Sequence, residues 1–229
     1  KGFFNQLLRI DLSREKVSVE PIPDSILQSY LGGKGLGSYL LLKENPSHVD
    51  PFSAKNHLIF TLGPLADTPF YGSSRYAVFT KSPQTGIYSE SYSGGKITLS
   101  MSRTGYDAII IEGKSNHPVC LEISDEDVVF HKASELWGKE TYEAEEKILK
   151  EVGDKGAGAL VIGPAGENLV KFAVIESEHW RSLGRAGIGA VMGSKKLKGI
   201  VFHGKIRRDL ADPSSLKRLA QEFKKRVEN

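Results

Sequence analysis

The chain has 229 residues, 39% of them hydrophobic and 26% charged, a globular make-up long enough for one large domain or two small ones. Its 31 basic and 28 acidic residues leave a formal net charge of only +3, so any excess of positive charge is local and points to a site, not to general affinity for nucleic acid or a membrane. One cysteine, Cys120, excludes an intrachain disulfide or a cysteine-built metal centre here; no uncharged run nears the roughly 18 apolar residues of a membrane span, and KGFFNQLLRIDLS lacks a signal peptide's apolar core, so a cytoplasmic setting is expected.

Strand patterns open the chain at FFNQLLRIDL and KVSVEPI. DSILQSYLGGKGLGSYLLLKEN follows as a single helix, capped by Asp24 or Ser25, with Ile26, Leu27, Tyr30 and Leu31 as its apolar stripe. Gly32, Gly33, Gly35 and Gly37 interrupt it at about 1 kcal/mol each against alanine, which predicts close packing or a bend. Five further strands are predicted at NHLIFTLGPL, SRYAVFTKS, DAIIIEGK, PVCLEIS and DVVFHKA. Cys120, in the apolar fourth of these, reads as buried and inert. GKETYEAEEKILKEVG predicts a helix ending at Gly153. DPSSLKRLAQEFKKRVEN predicts the last, with Asp212 as cap, Pro213 at the first helical position, and Leu216, Leu219, Ala220, Phe223 and Val227 on its buried stripe.

An internal repeat organises these pieces. LIFTLGPLADT matches ALVIGPAGEN, RYAVFTKS matches KFAVIESE, and GGKITLSMSRTGYDAIIIEGK matches GIGAVMGSKKLKGIVFHGK. Both copies run strand, Gly-Pro turn, strand, glycine-rich loop, strand, Gly-Lys. A duplication of this kind predicts two equivalent loops presented to one shared ligand.

Those loops carry the chemistry. From His179 to Arg208 the chain has no carboxylate but holds Arg181, Arg185, Lys195, Lys196, Lys198, Lys205, Arg207 and Arg208 among glycines. RSLGRAGIGAVMG reads as a phosphate cradle, with Arg181 and Arg185 supplying charge and Gly184, Gly187 and Gly189 letting backbone amides approach an oxyanion. A helix opening in AGIGAVMG would add its dipole. The first copy has its own loop, with Arg75 before a strand and SYSGGK over 91–96. A Walker A spacing is missing, Gly187, Gly189 and Gly193 depart from the dinucleotide fingerprint, and aromatics are too scarce near the basic run for nucleic acid. His57, His117, His131, His179 and His203 have no metal-ligand spacing; Glu176, Glu178 and His179 cluster beside the loop as the one conceivable acid–base group. A non-catalytic module binding another phosphate-containing ligand through the two loops is the alternative reading.

RYAVFTKSPQTG, SGGK, GYDAIIIEGK, WGKETYEAE, IGPAGENLVKFAVI and RSLGRAGIGAVMGSKKLKGI together resemble the N-terminal domain of the tungsten-dependent aldehyde:ferredoxin oxidoreductases, over nearly the whole chain up to Arg208. The resemblance implies an α+β fold of two β-sheets related by a pseudo-two-fold axis, with residues 1–210 as a cofactor-binding domain and 211–229 as the start of a following helical domain or linker. It implies a tungsten or molybdenum bis-molybdopterin cofactor held by Arg75, Tyr92 and Gly94 on one side and Arg181, Ser182, Gly184 and Arg185 on the other. A magnesium ion would join the two phosphates through the backbone carbonyls of Tyr92 and Ser182. The family's longer enzymes oxidise aldehydes to carboxylates and pass electrons through a 4Fe-4S cluster to ferredoxin. The cysteines for that cluster, and the residues acting on the aldehyde, would lie in C-terminal helical domains beyond these residues. No catalytic residue, nucleic acid or membrane is expected for this chain, and a homodimer is compatible with it.

Overall fold

The computed structural model describes residues 2–228; Lys1 and Asn229, the end positions of the two expected segments, lie outside it. The repeat proves to be the plan of the fold. Copy one runs β1 (Gln6–Asp11), β2 (Lys16–Pro21), α1 (Asp24–Tyr30), α2 (Gly33–Glu44), β3 (Leu58–Leu62), β4 (Arg75–Lys81), β5 (Tyr88–Gly94), α3 (Ile97–Ser102) and β6 (Ala108–Glu112). Copy two runs β7 (Val119–Ile123), β8 (Val128–Lys132), α4 (Thr141–Val152), β9 (Gly158–Val161), α5 (Pro164–Glu167), β10 (Ile175–Ser177), β11 (Arg181–Leu183), α6 (Ile188–Ser194) and β12 (Leu197–Phe202). Each makes a six-stranded mixed sheet, ordered β2-β1-β6-β3-β4-β5 and β8-β7-β12-β9-β10-β11. In both, the opening hairpin is antiparallel and its first strand runs parallel to the last strand of the copy. The duplication therefore extends beyond the three segments matched by sequence to the hairpin and the crossover helix.

The strands read as near-continuous apolar runs because both faces of each sheet are covered. Along β6, Ile109 and Ile111 enter the core between the sheets, with Leu8, Phe60, Leu121, Leu160 and Ile200, while Ala108 and Ile110 pack outward on Leu36, Leu40 and Leu41 of α2. On the second sheet, Cys120, Val161 and Val201 face Ala144 and Ile148 of α4. The result is four layers, helix–sheet–sheet–helix, and burial pushes the Cys120 thiol up to about 12, as an inert cysteine requires.

Several expectations are corrected. The single N-terminal helix is two, broken where Leu31 (φ 57°) and Gly33 (φ 50°) turn left-handed. Neither Asp24 nor Ser25 caps it: Pro23 holds that position, and the Asp24 carboxylate accepts a hydrogen bond from Asn5 instead. SYSGGK is not a free loop, since Tyr88–Gly94 is the edge strand β5, and RSL forms the edge strand β11. Asp212 does cap α7 (Pro213–Glu228), accepting the Ser215 N–H at 2.9 Å. Of the α7 stripe, Ala220 is buried and Phe223 stacks on Phe70 with centroids 5.3 Å apart, whereas Leu219 and Val227 stay exposed.

Candidate functional site

The sequence of β5, YSESYSG, alternates strictly: Ser89, Ser91 and Ser93 are buried, and Tyr88 and Tyr92 are exposed with Glu90 between them. Small inward side chains let β5 lie against β11, so the two topologically equivalent edge strands meet, as a two-fold relation demands. Just past β11, the Arg185 N–H donates across this seam to Ser91 Oγ at 3.3 Å.

Two cavities adjoin β5, the first opening on the seam and the second lined by copy one alone. One, of about 590 Å³, is lined by Glu90, Ser91, Tyr92, Ser182, Gly184 and Arg185. The other, of about 280 Å³, is walled by Thr61, the Gly63-Pro64 turn, Gly72, Arg75 and Tyr92. Tyr92 belongs to both, its ring held edge-on by Phe79 with centroids 6.4 Å apart. Burial, and then the neighbouring Glu90, raise its phenol above the ordinary range. Burial pushes the Glu90 carboxyl up too, but Lys34, whose Nζ donates at 2.8 Å, and the Tyr88 hydroxyl outweigh this and hold it below its usual value.

Of the expected site residues, Arg75 and Arg185 line one cavity each, and among the described residues neither guanidinium has an ion pair or hydrogen bond. Arg181 is engaged, with Nε 3.3 Å from Glu178 Oε2 and its Cδ packed where a Cβ on Gly95 would stand. Ser182 donates from Oγ to Glu176 Oε1 at 2.6 Å, and the other Glu176 oxygen is buried without a hydrogen-bond partner. The two glycines differ in kind. A Cβ on Gly94 would lie 2.4 Å from the Ser74 carbonyl, so the neighbouring backbone already demands glycine there. At Gly184 a Cβ would meet only Ser182 and Val174, at 3.8 and 4.0 Å, and the space beyond is open.

The broader phosphate-cradle reading needs correction. Gly187 and Gly189 press on the Lys171 and Val174 carbonyls, where a Cβ would come to 2.0 and 2.2 Å, and the Gly189 N–H is taken by Ala173 O. The start of α6 is therefore packed inside, and the N–H groups of Gly189, Ala190 and Val191 are all taken by backbone carbonyls. Most of the basic run is also structural: Lys195 is fully buried, Lys198 pairs with Glu167, Lys196 donates to Asn116 O, Arg207 pairs with Asp67 and Arg208 with Asp107. The acids that pair with Lys198, Arg207 and Arg208 simply lie elsewhere in the sequence. In the Glu176, Glu178 and His179 cluster, Glu178 is engaged by the Ile97 N–H and Arg181, and His179 stacks on Tyr142 at 5.0 Å. The sequence reading missed Glu90 and Glu145, the latter a buried carboxylate on α4 that accepts the N–H groups of Glu178 and His179.

The fold is that of a duplicated four-layer domain whose twin edge strands meet at a seam. The chain belongs to the family of aldehyde ferredoxin oxidoreductase N-terminal domains, whose model matches residues 7–204. It is 43% identical over 221 residues to a tungsten-containing aldehyde ferredoxin oxidoreductase of Pyrococcus horikoshii, covering 96% of this chain and 36% of that protein. Against the corresponding protein of Thermococcus kodakarensis the figures are 44% over 228 residues, all of this chain and 38% of the relative. Among solved structures, the active-site complex BamBC of benzoyl coenzyme A reductase with 1,5-dienoyl-CoA superposes with a TM-score of 0.95 at 38% identity, over all of this chain and 35% of that one. The chain thus spans little more than a third of the length of these relatives.

Proposed function

We propose that the seam between β5 and β11 holds a tungsten or molybdenum bis-molybdopterin, and that the chain is the cofactor platform of an oxidoreductase that oxidises aldehydes to carboxylates with ferredoxin as acceptor. The observation that carries this reading is the pair of unpaired guanidiniums, Arg75 at one cavity and Arg185 at the other, with Tyr92 between them. Two phosphates, one per cavity, complement that arrangement, and each would take a bidentate, charge-assisted contact. The open space at Gly184 admits an oxyanion close to the backbone. Tyr92 and Ser182 line one cavity together, so their backbone carbonyls are the candidates for a magnesium ion between the phosphates. Gly94 contributes by letting Ser74 and Arg75 close on β5, and Arg181 as a cation already paired with Glu178.

When bound, the metal–pterin group supplies the two-electron chemistry; these residues bind it, neutralise it and fix its orientation. A 4Fe-4S cluster, the aldehyde pocket and the contact with ferredoxin belong on this reading to helical domains following residue 210, with α7 as their linker. The alternative of an unrelated phosphate-binding module is not favoured by relatives that are redox enzymes. The test is metal and pterin content of the natural gene product, purified anaerobically from a host that makes the cofactor. Tungsten or molybdenum with two pterins per metal is the expected result, strongly reduced in Arg75→Ala and Arg185→Ala. Full retention in the double variant would overturn the assignment.

A further inference from the structure

The turn between β10 and β11 is one of the places where the two copies are tied together, and its backbone is in an unfavourable shape. Glu178 (φ 49°) and His179 (φ 62°) are consecutive left-handed residues, neither of them glycine. That region disfavours side-chain-bearing residues, and such strain persists only where surroundings impose it. Here the imposing group is Glu145, on the inner face of α4 and 3% exposed. One of its oxygens accepts the Glu178 N–H at 2.6 Å and the other accepts the His179 N–H at 3.1 Å. The side chains of the turn then reach into copy one. Glu178 Oε1 accepts the N–H of Ile97, the first residue of α3, at 2.8 Å. Its other oxygen pairs with Arg181, whose side chain lies over Gly95 (φ 110°), just past β5. A two-residue stretch thus receives its shape from α4 and passes it to Arg181, Ser182 and the end of β5.

We propose that Glu145 is the positioning residue of this site: its carboxylate holds the strained turn that sets Arg181 and Ser182 against the β5 edge, and cofactor retention depends on it although it lies on a helix outside both cavities. The proposal rests on the reading of the seam as the cofactor site. A carboxylate suits the task because each oxygen serves one N–H. A glutamine offers one carbonyl, and its NH2 group would face the second N–H as donor against donor.

The experiment compares Glu145→Gln, Glu145→Ala and Arg185→Ala in the cofactor-loaded natural gene product. The readouts are pterin per protein, thermal midpoint and hydrogen exchange at the amides of residues 178–181. Pterin content is expected to fall in the order wild type, Glu145→Gln, Glu145→Ala, with at least a twofold loss in the last. The Glu178 and His179 amides are expected to exchange at least tenfold faster while the strands of both sheets keep their protection. Faster exchange with wild-type pterin content would overturn the positioning role, as would unchanged exchange. If Arg185→Ala also keeps its pterin, the reading of the seam itself falls; if only Arg185→Ala loses it, the reading stands and Glu145 has no part in it. Should Glu145→Ala fail to fold, Glu145→Gln, which keeps one acceptor, carries the same comparison.

Discussion

Gly184 and Gly189 stand five positions apart in one glycine-rich run, and the structure gives them opposite meanings. A methyl at Gly184 meets nothing closer than 3.8 Å, so Gly184→Ala is expected to fold with a stability within about 0.5 kcal/mol of wild type, yet to lose pterin if an oxyanion occupies that space. A methyl at Gly189 would sit 2.2 Å from the Val174 carbonyl, and Gly189→Ala is expected to cost about 3 kcal/mol or more by forcing α6 off β10. Urea unfolding and pterin analysis of the two variants separate ligand-driven from packing-driven glycine. Lys195 offers a second test. It is fully buried, donates to the carbonyls of Ala54 and Gly113, and burial lowers its amine to about 7 against the pull of Glu112 and Asp11. Between that value and the ordinary 10.5 the unfolded chain binds a proton that the folded one does not. Stability contributed at this site therefore rises with pH across that window, by up to about 1.4 kcal/mol per unit. Relative to wild type, Lys195→Met should be at its most stable below pH 7 and lose ground steadily towards pH 10; a pH-independent difference in unfolding midpoints would refute this.

What could be read from sequence follows the local or non-local origin of each feature. Strands such as LIFTL and AIIIE were legible because both faces are buried and aliphatic, aromatic and β-branched residues run almost without a break. β5 was not, because YSESYSG has no β-branched or aliphatic residue; its serines are small to suit β11, a constraint imposed from more than 80 residues away. The helix break at 31–33 was only half legible, its glycines marking a bend whose place depends on packing against β3 and β4. The repeat was visible at its glycine-rich turns, and its hairpin and crossover helix were hidden because topology outlasts side-chain identity. Arg75 and Arg185 stood out as arginines beside glycines, a local pattern, but that neither is paired could be seen only in the fold. The rest of the basic run misled, because pairing partners such as Asp67, Asp107 and Glu167 come from other elements.

The duplication raises the question of whether the copies are two folding units or one. Their sheets share the central core: Leu8, Ile10 and Phe60 of one pack among Leu121, Leu160 and Ile200 of the other. Alone, either copy would leave that apolar face in water, with a loss of roughly 25 cal/mol for each Å² no longer buried. Buried polar ties run the same way, from Lys195 of copy two to Ala54 and Gly113 of copy one, and from Arg208 to Asp107 and Gly2. One cooperative transition is therefore expected, and the tryptophans make it measurable. Trp137 and Trp180 both lie in copy two, so their fluorescence reports that half, while far-ultraviolet circular dichroism reports both. Coincident urea transitions by the two probes would establish a single unit. A fluorescence transition displaced from the dichroism would mean that copy two unfolds separately, and the shared core would then be too weak to couple them. The cofactor sharpens the contrast. A ligand gripped by Arg75 of one copy and Arg185 of the other binds only when both are folded, so loading it should move both transitions upward together.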